Sequence, residues 1–172
     1  GINVLARHIG ARVVVVDMGV AKDLQPHPNL IIKKVNYGTK NMRKFPAMSK
    51  EEAIKSVTYG IEVFEEMWEN EPIDIVGLGD MGIGNTTASS AIIASISGKE
   101  VEKVTGRGTG ISDEIFSNKI NVIKGALAKH KPDGNDPIDI LTKVGGFEIG
   151  GLCGVTLAAA SRRVAVVCDG FI

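Results

Sequence analysis

The sequence predicts an α/β protein with a mostly parallel, doubly wound sheet that has helices on both faces. Several short runs are apolar without alternation, as in parallel strands that are covered on both sides. Segments with the apolar spacing of amphipathic helices separate these runs along the chain. Glycine accounts for 21 of the 172 residues, which is typical of many close turns. Together these observations favour a single α/β core domain over residues 1–172.

The first half of the chain is predicted to alternate between helices and strands. The elements span residues 1–9 (helix), 12–17 (strand), 30–35 (strand), 49–70 (helix) and 73–76 (strand). The apolar face of the first helix is formed by Ile2, Leu5, Ala6 and Ile9. Ser49 and Glu52 make a capping box at the start of the long helix. Asp17 ends a strand, where open α/β sheets place ligand contacts, and it equally suits a loop residue that terminates the strand.

The second half continues the same alternation. The elements span residues 88–96 (helix), 112–130 (helix), 137–144 (short helix), 147–162 (helix) and 164–168 (strand). The helix over 147–162 is rich in Gly and Ala, which predicts close packing against its neighbours. Cys153 and Cys168 lie in apolar surroundings without a metal-ligand spacing, so we expect reduced thiols in the core.

The charge balance excludes some function classes. Twenty basic and twenty acidic residues cancel, which argues against nucleic acid or a membrane surface as a partner. No apolar stretch reaches membrane-spanning length and the start shows no signal peptide, so we expect a cytoplasmic protein. The chain begins at Gly1 without a methionine and ends at Ile172 just after a strand-like run, so we expect a piece of a longer protein.

The segment over residues 77–87 is the strongest functional signal in the sequence. It places four glycines within eight residues, between a predicted strand and a predicted helix, and then Asn85, Thr86 and Thr87 at the helix start. Glycines let backbone N–H groups approach a ligand, and a helix N-terminus adds unpaired donors and a positive dipole end. A tight turn without a ligand needs only one or two glycines. The segment therefore predicts a cradle for an anion, above all a phosphate.

Other nucleotide-binding and catalytic motifs fit less well. The sequence has no phosphate-binding loop ending in Gly-Lys-Ser/Thr, no Gly-x-Ser-x-Gly elbow and no HExxH. Residues 77–82 match Gly-x-Gly-x-x-Gly, so an NAD-binding Rossmann domain is one alternative. That fingerprint requires an acidic residue about 20 positions after the glycines, at the end of a second strand. Glu100 and Glu102 stand near that distance without a preceding apolar strand. A second alternative is a non-catalytic nucleotide-binding or phosphate-binding domain.

Several segments, taken in order, resemble one enzyme family. Residues 79–87 closely resemble the signature loop of the nicotinate-nucleotide:dimethylbenzimidazole phosphoribosyltransferases, which make the lower-ligand nucleoside phosphate of cobalamin. Further segments agree with this family in the same order: 2–7, 46–49, 106–110, 118–119, 143–148 and 169–172. The resemblance covers essentially the whole chain and is more specific than any single glycine pattern.

The resemblance implies a Rossmann-like sheet domain with a small helical domain that is missing or only partly present here. It implies a homodimer that moves the 5-phosphoribosyl group from nicotinate mononucleotide to 5,6-dimethylbenzimidazole or a related base, with inversion at the anomeric carbon. The products are alpha-ribazole 5'-phosphate and nicotinate. The partners are these small molecules, and no metal or organic cofactor takes part.

The resemblance also implies which residues bind the substrate. They are Asp80, Met81, Gly82, Ile83, Gly84, Asn85, Thr86, Gly106, Gly108, Thr109 and Lys119. Lys119 is expected to reach the phosphate, and Asp80 is expected to sit beside the ribose and the nicotinate. The family more usually has Glu at the position of Asp80. Its general base is a glutamate beyond Ile172, so we expect this chain to bind the phosphoribosyl donor and to catalyse poorly unless the missing ends are present.

Overall fold

The computed structural model describes residues 1–108 and 110–172, which form seven helices and four strands. In chain order they are α1 (Ile2–Ile9), β1 (Val15–Asp17), β2 (Leu30–Ile32), α2 (Lys50–Asn70), β3 (Ile75–Gly77), α3 (Thr86–Ser97), α4 (Val101–Val104), α5 (Asp113–His130), α6 (Pro137–Val144), α7 (Phe147–Ser161) and β4 (Ala165–Val167). In this part of the chain, no helix has the length and apolar character needed to cross a membrane.

The described strands are parallel, and the predicted α/β class is confirmed. β1 pairs with β2, with Val15 opposite Leu30. β3 pairs with β4, with Ile75 opposite Ala165. The structure differs from one continuous doubly wound sheet in that the described strands form two separate two-stranded ladders. Each strand contributes only three residues to its ladder, so the predicted ranges 12–17, 30–35 and 164–168 were too long.

The helix ends follow local sequence signals closely. The Ser49 hydroxyl accepts from the Glu52 N–H at 3.2 Å, and the Glu52 carboxylate accepts from the Ser49 N–H at 2.8 Å, which confirms the capping box. The predicted helix over 137–144 is confirmed at both ends, with Asp136 as its N-cap. The four-residue helix α4 was not predicted because one helical turn carries no readable apolar period.

Helices α2 and α7 pack with their backbones almost in contact. A Cβ atom on Gly60 would lie 1.9 Å from the carbonyl oxygen of Gly151, and one on Gly154 would lie 2.0 Å from that of Val57. Both distances are far inside van der Waals contact, so only glycine fits at Gly60 and Gly154. The close packing predicted from the small residues of the 147–162 segment is therefore confirmed.

A second core lies beneath the glycine-rich segments. It joins α3, α4, α5 and α6 through small and branched side chains, namely Ala91, Ala94, Val101, Ile123, Ala126, Ile140 and Val144. Ile123 and Ala126 are fully buried at the centre of α5. This core fixes the start of α3 next to α5, which positions the candidate site.

The apolar face predicted for α1 is exposed in the described chain. Ala6 is buried, but Leu5 is 66% exposed and Ile9 is 76% exposed. The helix itself matches the prediction and ends at Gly10 in the left-handed region, with a φ of 71°. Except at Ala6, the described part of the chain leaves this apolar face open to solvent.

Substituting Gly60→Ala should destabilise the protein by about 1–3 kcal/mol, because the new methyl group would overlap the α7 backbone. Urea-induced unfolding followed by circular dichroism measures the change. Gly125→Ala in α5 is the matched control, since a Cβ there meets nothing within 4 Å. It should stabilise by about 0.5–1 kcal/mol through helix propensity. If Gly60→Ala and the wild type unfolded at the same urea concentration, the close packing of α2 and α7 would be contradicted.

Candidate functional site

A cleft of about 340 Å³ opens between the N-terminus of α3 and the N-terminal half of α5. Its walls combine glycine backbone, polar and basic side chains and a few aliphatic ones. They are formed by Gly82, Ile83, Gly84, Thr86, Thr87, Arg107, Gly108, Ile111, Ile115, Asn118, Lys119 and Val122. The cleft thus unites the two glycine-rich segments that the sequence analysis singled out.

The two glycine-rich segments touch each other at Gly108. A Cβ atom there would lie 3.3 Å from the hydroxyl oxygen of Thr86, and the φ of Gly108 is +60°. Gly84, in the first segment, has a φ of +85°. Residues that carry a side chain rarely adopt this left-handed backbone conformation, so glycine is favoured at both turns. The first segment follows the strand β3, whereas the second follows the helix α4.

Lys119 joins the two segments from α5. Its ammonium donates to the Thr86 hydroxyl at 2.9 Å and to the Gly106 carbonyl at 3.0 Å. The residue is only 8% exposed, and burial lowers the pKa of Lys119 because the charged form is poorly solvated there. An ammonium has three N–H donors, and these contacts use two of them. A bound anion in the cleft would therefore find a cation that is partly desolvated and already in position.

Asn85 occupies the N-cap position of α3 but does not cap it with its side chain. Its amide turns back, donating to the Met81 carbonyl at 2.8 Å and to the Asp80 carboxylate. The first backbone N–H groups of α3 therefore have no side-chain cap, and the first two residues of this helix, Thr86 and Thr87, line the cleft. Asn85 is 5% exposed, and its amide oxygen has no hydrogen-bond partner within the described residues.

Asp80 braces the first segment and does not line the cleft. Its carboxylate accepts the Met81 N–H at 2.8 Å and the Asn85 amide. Both contacts are local, so the short aspartate side chain ties residues 80–85 into a fixed loop. Met81 stands beside it with 75% of its surface exposed.

Arg107 is a second cation at the cleft that the sequence analysis did not single out. Its guanidinium donates to the Ile111 carbonyl at 3.0 Å and pairs with the Asp113 carboxylate. The guanidinium carbon lies 5.0 Å from the centre of the Phe116 ring, within the range of a cation–π contact. The available signal was its position between Gly106 and Gly108, as the one basic residue of the second glycine-rich segment.

Glu148 is a second residue that the sequence analysis missed. It lies in the first turn of α7, and a Cβ on Gly146 would come within 2.2 Å of its carboxylate oxygen. Gly146 therefore makes room for this carboxylate. Burial raises the pKa of Glu148, and the negative charge of Asp80 raises it further. The pair of glycines before the helix was the sequence signal for such a close approach.

The predicted substrate-binding residues occupy three kinds of position. Those that line the cleft are Gly82, Ile83, Gly84, Thr86, Gly108 and Lys119. Gly106 contributes its carbonyl to Lys119, whereas Asp80, Met81 and Asn85 form the supporting loop. The prediction for Thr109 falls outside the described residues.

The packing bears on two further expectations. Asp17 is the last residue of β1 and is 2% exposed; its carboxylate accepts the Val20 N–H at 2.8 Å and pairs with Lys34 at 2.7 Å, so it is engaged by neighbouring residues. Cys153 and Cys168 are both solvent-accessible, which corrects the prediction of core thiols. They lie on the side of α7 and at the end of β4 that no described element covers.

Chemically, the cleft suits an anion that carries an apolar or planar portion. Lys119, Arg107 and the N-terminus of α3 supply positive potential on one side. Ile83, Ile111 and Ile115 supply an aliphatic wall on the same cleft. Phosphate esters of small aromatic or sugar compounds combine these two properties.

Comparisons with known proteins agree over the whole chain. A sequence model of the family described as phosphoribosyltransferase matches residues 1–172. A Roseiflexus sp. (strain RS-1) protein named nicotinate-nucleotide–dimethylbenzimidazole phosphoribosyltransferase is 57% identical over 171 residues, covering 99% of this chain and 48% of that protein. A protein of the same name from Geotalea uraniireducens (strain Rf4) is 56% identical over 172 residues, covering 100% of this chain and 49% of that protein.

The solved structures of relatives are similar in fold. The crystal structure of CobT from Thermus thermophilus superposes with a TM-score of 0.93 at 37% identity, covering 99% of this chain and 51% of that one. A second structure from that organism, of a nicotinate-nucleotide–dimethylbenzimidazole phosphoribosyltransferase, gives a TM-score of 0.89 at 35% identity, covering 99% of this chain and 49% of that one. The chain spans about half the length of the curated relatives it matches.

The Glu148→Gln variant should be more stable than the wild type near neutral pH and about equally stable at about pH 4. The folded-state pKa of Glu148 is raised, so its contribution to stability is full below the unfolded-state pKa and is lost as the pH rises through the folded-state value. Urea unfolding at several pH values measures the difference.

Glu52→Gln provides a control of opposite sign for this experiment. The Asn36 amide and then the Ser49 N–H lower the pKa of Glu52, so its contribution is present above the unfolded-state pKa and is lost as the pH falls. Glu52→Gln should therefore be less stable than the wild type near neutral pH. A Glu148→Gln variant that loses stability in the same direction would contradict the assignment of Glu148 as a poorly solvated acid.

Proposed function

The chain belongs to the phosphoribosyltransferase family, and on this premise we propose that it transfers the 5-phosphoribosyl group from nicotinate mononucleotide to 5,6-dimethylbenzimidazole or a related base. The products are alpha-ribazole 5'-phosphate and nicotinate. In this proposal the 172 residues are the α/β core of a longer enzyme. The names of the relatives support the substrates, and the cleft supports the binding of the phosphate.

The observation that carries the proposal is the buried ammonium of Lys119 between the two glycine-rich segments. It contacts Thr86 from the first segment and Gly106 from the second, and Lys119 lines the cleft. A phosphate placed there would accept from Lys119 and from the open N–H groups at the start of α3. The glycines at 82 and 84 leave the backbone accessible to the same group.

The chemistry needs positioning more than it needs reactive side chains. The bond from the ribose C1' to the pyridine nitrogen breaks, and its electron pair leaves with nicotinate, whose ring nitrogen becomes neutral. A benzimidazole nitrogen attacks C1' from the opposite face, which inverts the configuration. Holding the phosphate fixes C1' relative to the incoming nitrogen and lowers the entropic part of the barrier.

One proton must leave the benzimidazole after the new bond has formed. A general base that accepts such a proton contributes roughly 10²–10⁴-fold to the rate. The family resemblance assigns this role to a glutamate C-terminal to Ile172, so we propose no catalytic base within this chain. The described chain would then hold the donor, and the longer protein would complete the acceptor pocket.

The wider setting belongs to the same proposal. The partners are the two small-molecule substrates, the protein acts in the cytoplasm as a homodimer, and neither a metal nor an organic cofactor is required. The exposed apolar face of α1, with Ile2 65% and Ile9 76% exposed, supports an assembly in which this surface is covered.

The NAD-binding alternative loses support from the element order. Glu102, the acid nearest to the expected ribose contact, lies in the helix α4 and pairs with Lys124. The dinucleotide fingerprint requires this acid at the end of a second strand. In addition, α3 begins at Thr86, four residues after the last glycine of the Gly-x-Gly-x-x-Gly match.

Isothermal titration with nicotinate mononucleotide tests the proposal directly. Lys119→Ala should weaken binding by about 10-fold to 100-fold, as expected for the loss of a charge-assisted hydrogen bond. Asn85→Ala should weaken it less, because Asn85 acts by holding the loop of Asp80 and Met81. Lys124→Ala is the matched control, since this lysine lies on the same helix and pairs with Glu102 outside the cleft.

Other outcomes separate the competing functions. Binding of NADH but not of nicotinate mononucleotide would overturn the transferase proposal in favour of an NAD-binding domain. Binding of nicotinate mononucleotide by a longer chain that releases no nicotinate in the presence of dimethylbenzimidazole would favour a non-catalytic nucleotide-binding domain.

A further inference from the structure

Arg107 lines the cleft, and its guanidinium already contacts other residues of the chain. One guanidinium nitrogen donates to the Ile111 carbonyl at 3.0 Å, and another pairs with the Asp113 carboxylate. The guanidinium also makes a cation–π contact with Phe116, with its carbon 5.0 Å from the ring centre. A guanidinium has five N–H donors, so these contacts leave others uncommitted within the described part of the chain.

The ion pair between Arg107 and Asp113 is exposed and is therefore easily exchanged. The Arg107 side chain is 50% exposed and the Asp113 side chain is 90% exposed. Pairs in this setting contribute little to stability because water and salt compete with them. A phosphate oxygen in the cleft would offer the same guanidinium a charge-assisted hydrogen bond.

Arg107 and Lys119 are coupled through one short turn. Lys119 donates to the carbonyl of Gly106, the residue that immediately precedes Arg107, and both cations line the same cleft. A phosphate monoester carries a charge of roughly −1.5 to −2 near neutral pH. Lys119 alone would leave part of that charge uncompensated, and Arg107 is the second cation that borders the cleft among the residues described there.

We propose that Arg107 exchanges its contact with Asp113 for the phosphate of the bound nucleotide, so that Asp113 acts as a built-in competitor that sets the affinity. The proposal rests on the proposed function, because it assumes a phosphate ester in the cleft. Asp113 is then a positioning residue, because it contacts Arg107 and does not contact the ligand.

The test is a double-mutant cycle measured by titration with nicotinate mononucleotide. Arg107→Ala should weaken binding by about 10-fold or more, because it removes a charge-assisted contact to the phosphate. Asp113→Asn should strengthen binding by about 2-fold to 5-fold, because an exposed competitor is removed. In the Arg107→Ala background, Asp113→Asn should have no such effect.

Two control variants separate this exchange from general electrostatics and from loss of folding. Glu114→Gln removes the same charge from the same turn of α5 and should leave the affinity nearly unchanged. Arg107→Lys keeps the charge but lacks the planar guanidinium. Its affinity for nicotinate mononucleotide should lie between those of the wild type and Arg107→Ala. Equal strengthening by Asp113→Asn and Glu114→Gln, or strengthening that persists without Arg107, would overturn the proposal.

Two analogues of nicotinate mononucleotide show which of its anionic groups binds Arg107. Nicotinamide mononucleotide keeps the phosphate and lacks the carboxylate, so the coupling between Arg107 and Asp113 should persist with it. Nicotinic acid riboside keeps the carboxylate and lacks the phosphate, so the coupling should vanish. A coupling that follows the carboxylate would overturn the assignment to phosphate.

Failure of this inference is distinguishable from failure of the proposed function. If nicotinate mononucleotide binds and Lys119→Ala weakens it, while Arg107→Ala and Asp113→Asn change nothing, the exchange is wrong and the function stands. If only inorganic phosphate binds, with the Arg107 and Asp113 coupling intact, the exchange stands and the nucleotide assignment falls. If neither probe binds, both are wrong.

Discussion

The ammonium of Lys119 is the interaction on which the candidate site depends. It reaches from α5 to a hydroxyl at the start of α3 and to a carbonyl in the second glycine-rich segment, at 2.9 and 3.0 Å. Two loops that are about 20 residues apart in the sequence are thereby held against one another. Because the group is buried, its positive charge is poorly solvated, and an anion in the cleft would restore much of the lost solvation.

The helical packing provides the rigidity that this contact requires. The core shared by α3, α5 and α6 buries Ala91, Ile123 and Ile140, so the helix that carries Lys119 cannot shift relative to the one that begins at Thr86. On the other side, α2 and α7 approach through Gly60 and Gly154. That approach places the start of α7, with Glu148, where the charge of Asp80 reaches it.

Local features were predictable from the sequence because their causes are local. The capping box of Ser49 and Glu52 and the bounds of α6 depend on residues within one turn of each other, and both match the prediction. The cradle for an anion over residues 77–87 was predicted from the glycines and from the helix N-terminus that follows them, and both features are local. Lys119 entered through the family resemblance, because a single lysine on a helix carries no signal by itself.

The remaining features depend on partners that are distant in the sequence. Arg107 became a candidate only when the structure placed its guanidinium beside the cleft and over Phe116. Glu148 became notable only when packing buried its carboxylate and brought it near Asp80. The exposure of the α1 face and of both cysteines likewise depends on which elements lie over them, and composition does not record this.

The sequence by itself determined the α/β class, most element types and the position of the two glycine-rich segments that border the cleft, because periodicity, capping and glycine content act over a few residues. The tertiary structure decided which charges meet at the cleft, which strands pair, and which predicted residues support the loop and do not line the cleft. These outcomes follow from packing between elements that are distant in the sequence. A shift of a few ångströms between two elements can break a contact and expose the side chains that made it, and no local sequence pattern encodes such a shift.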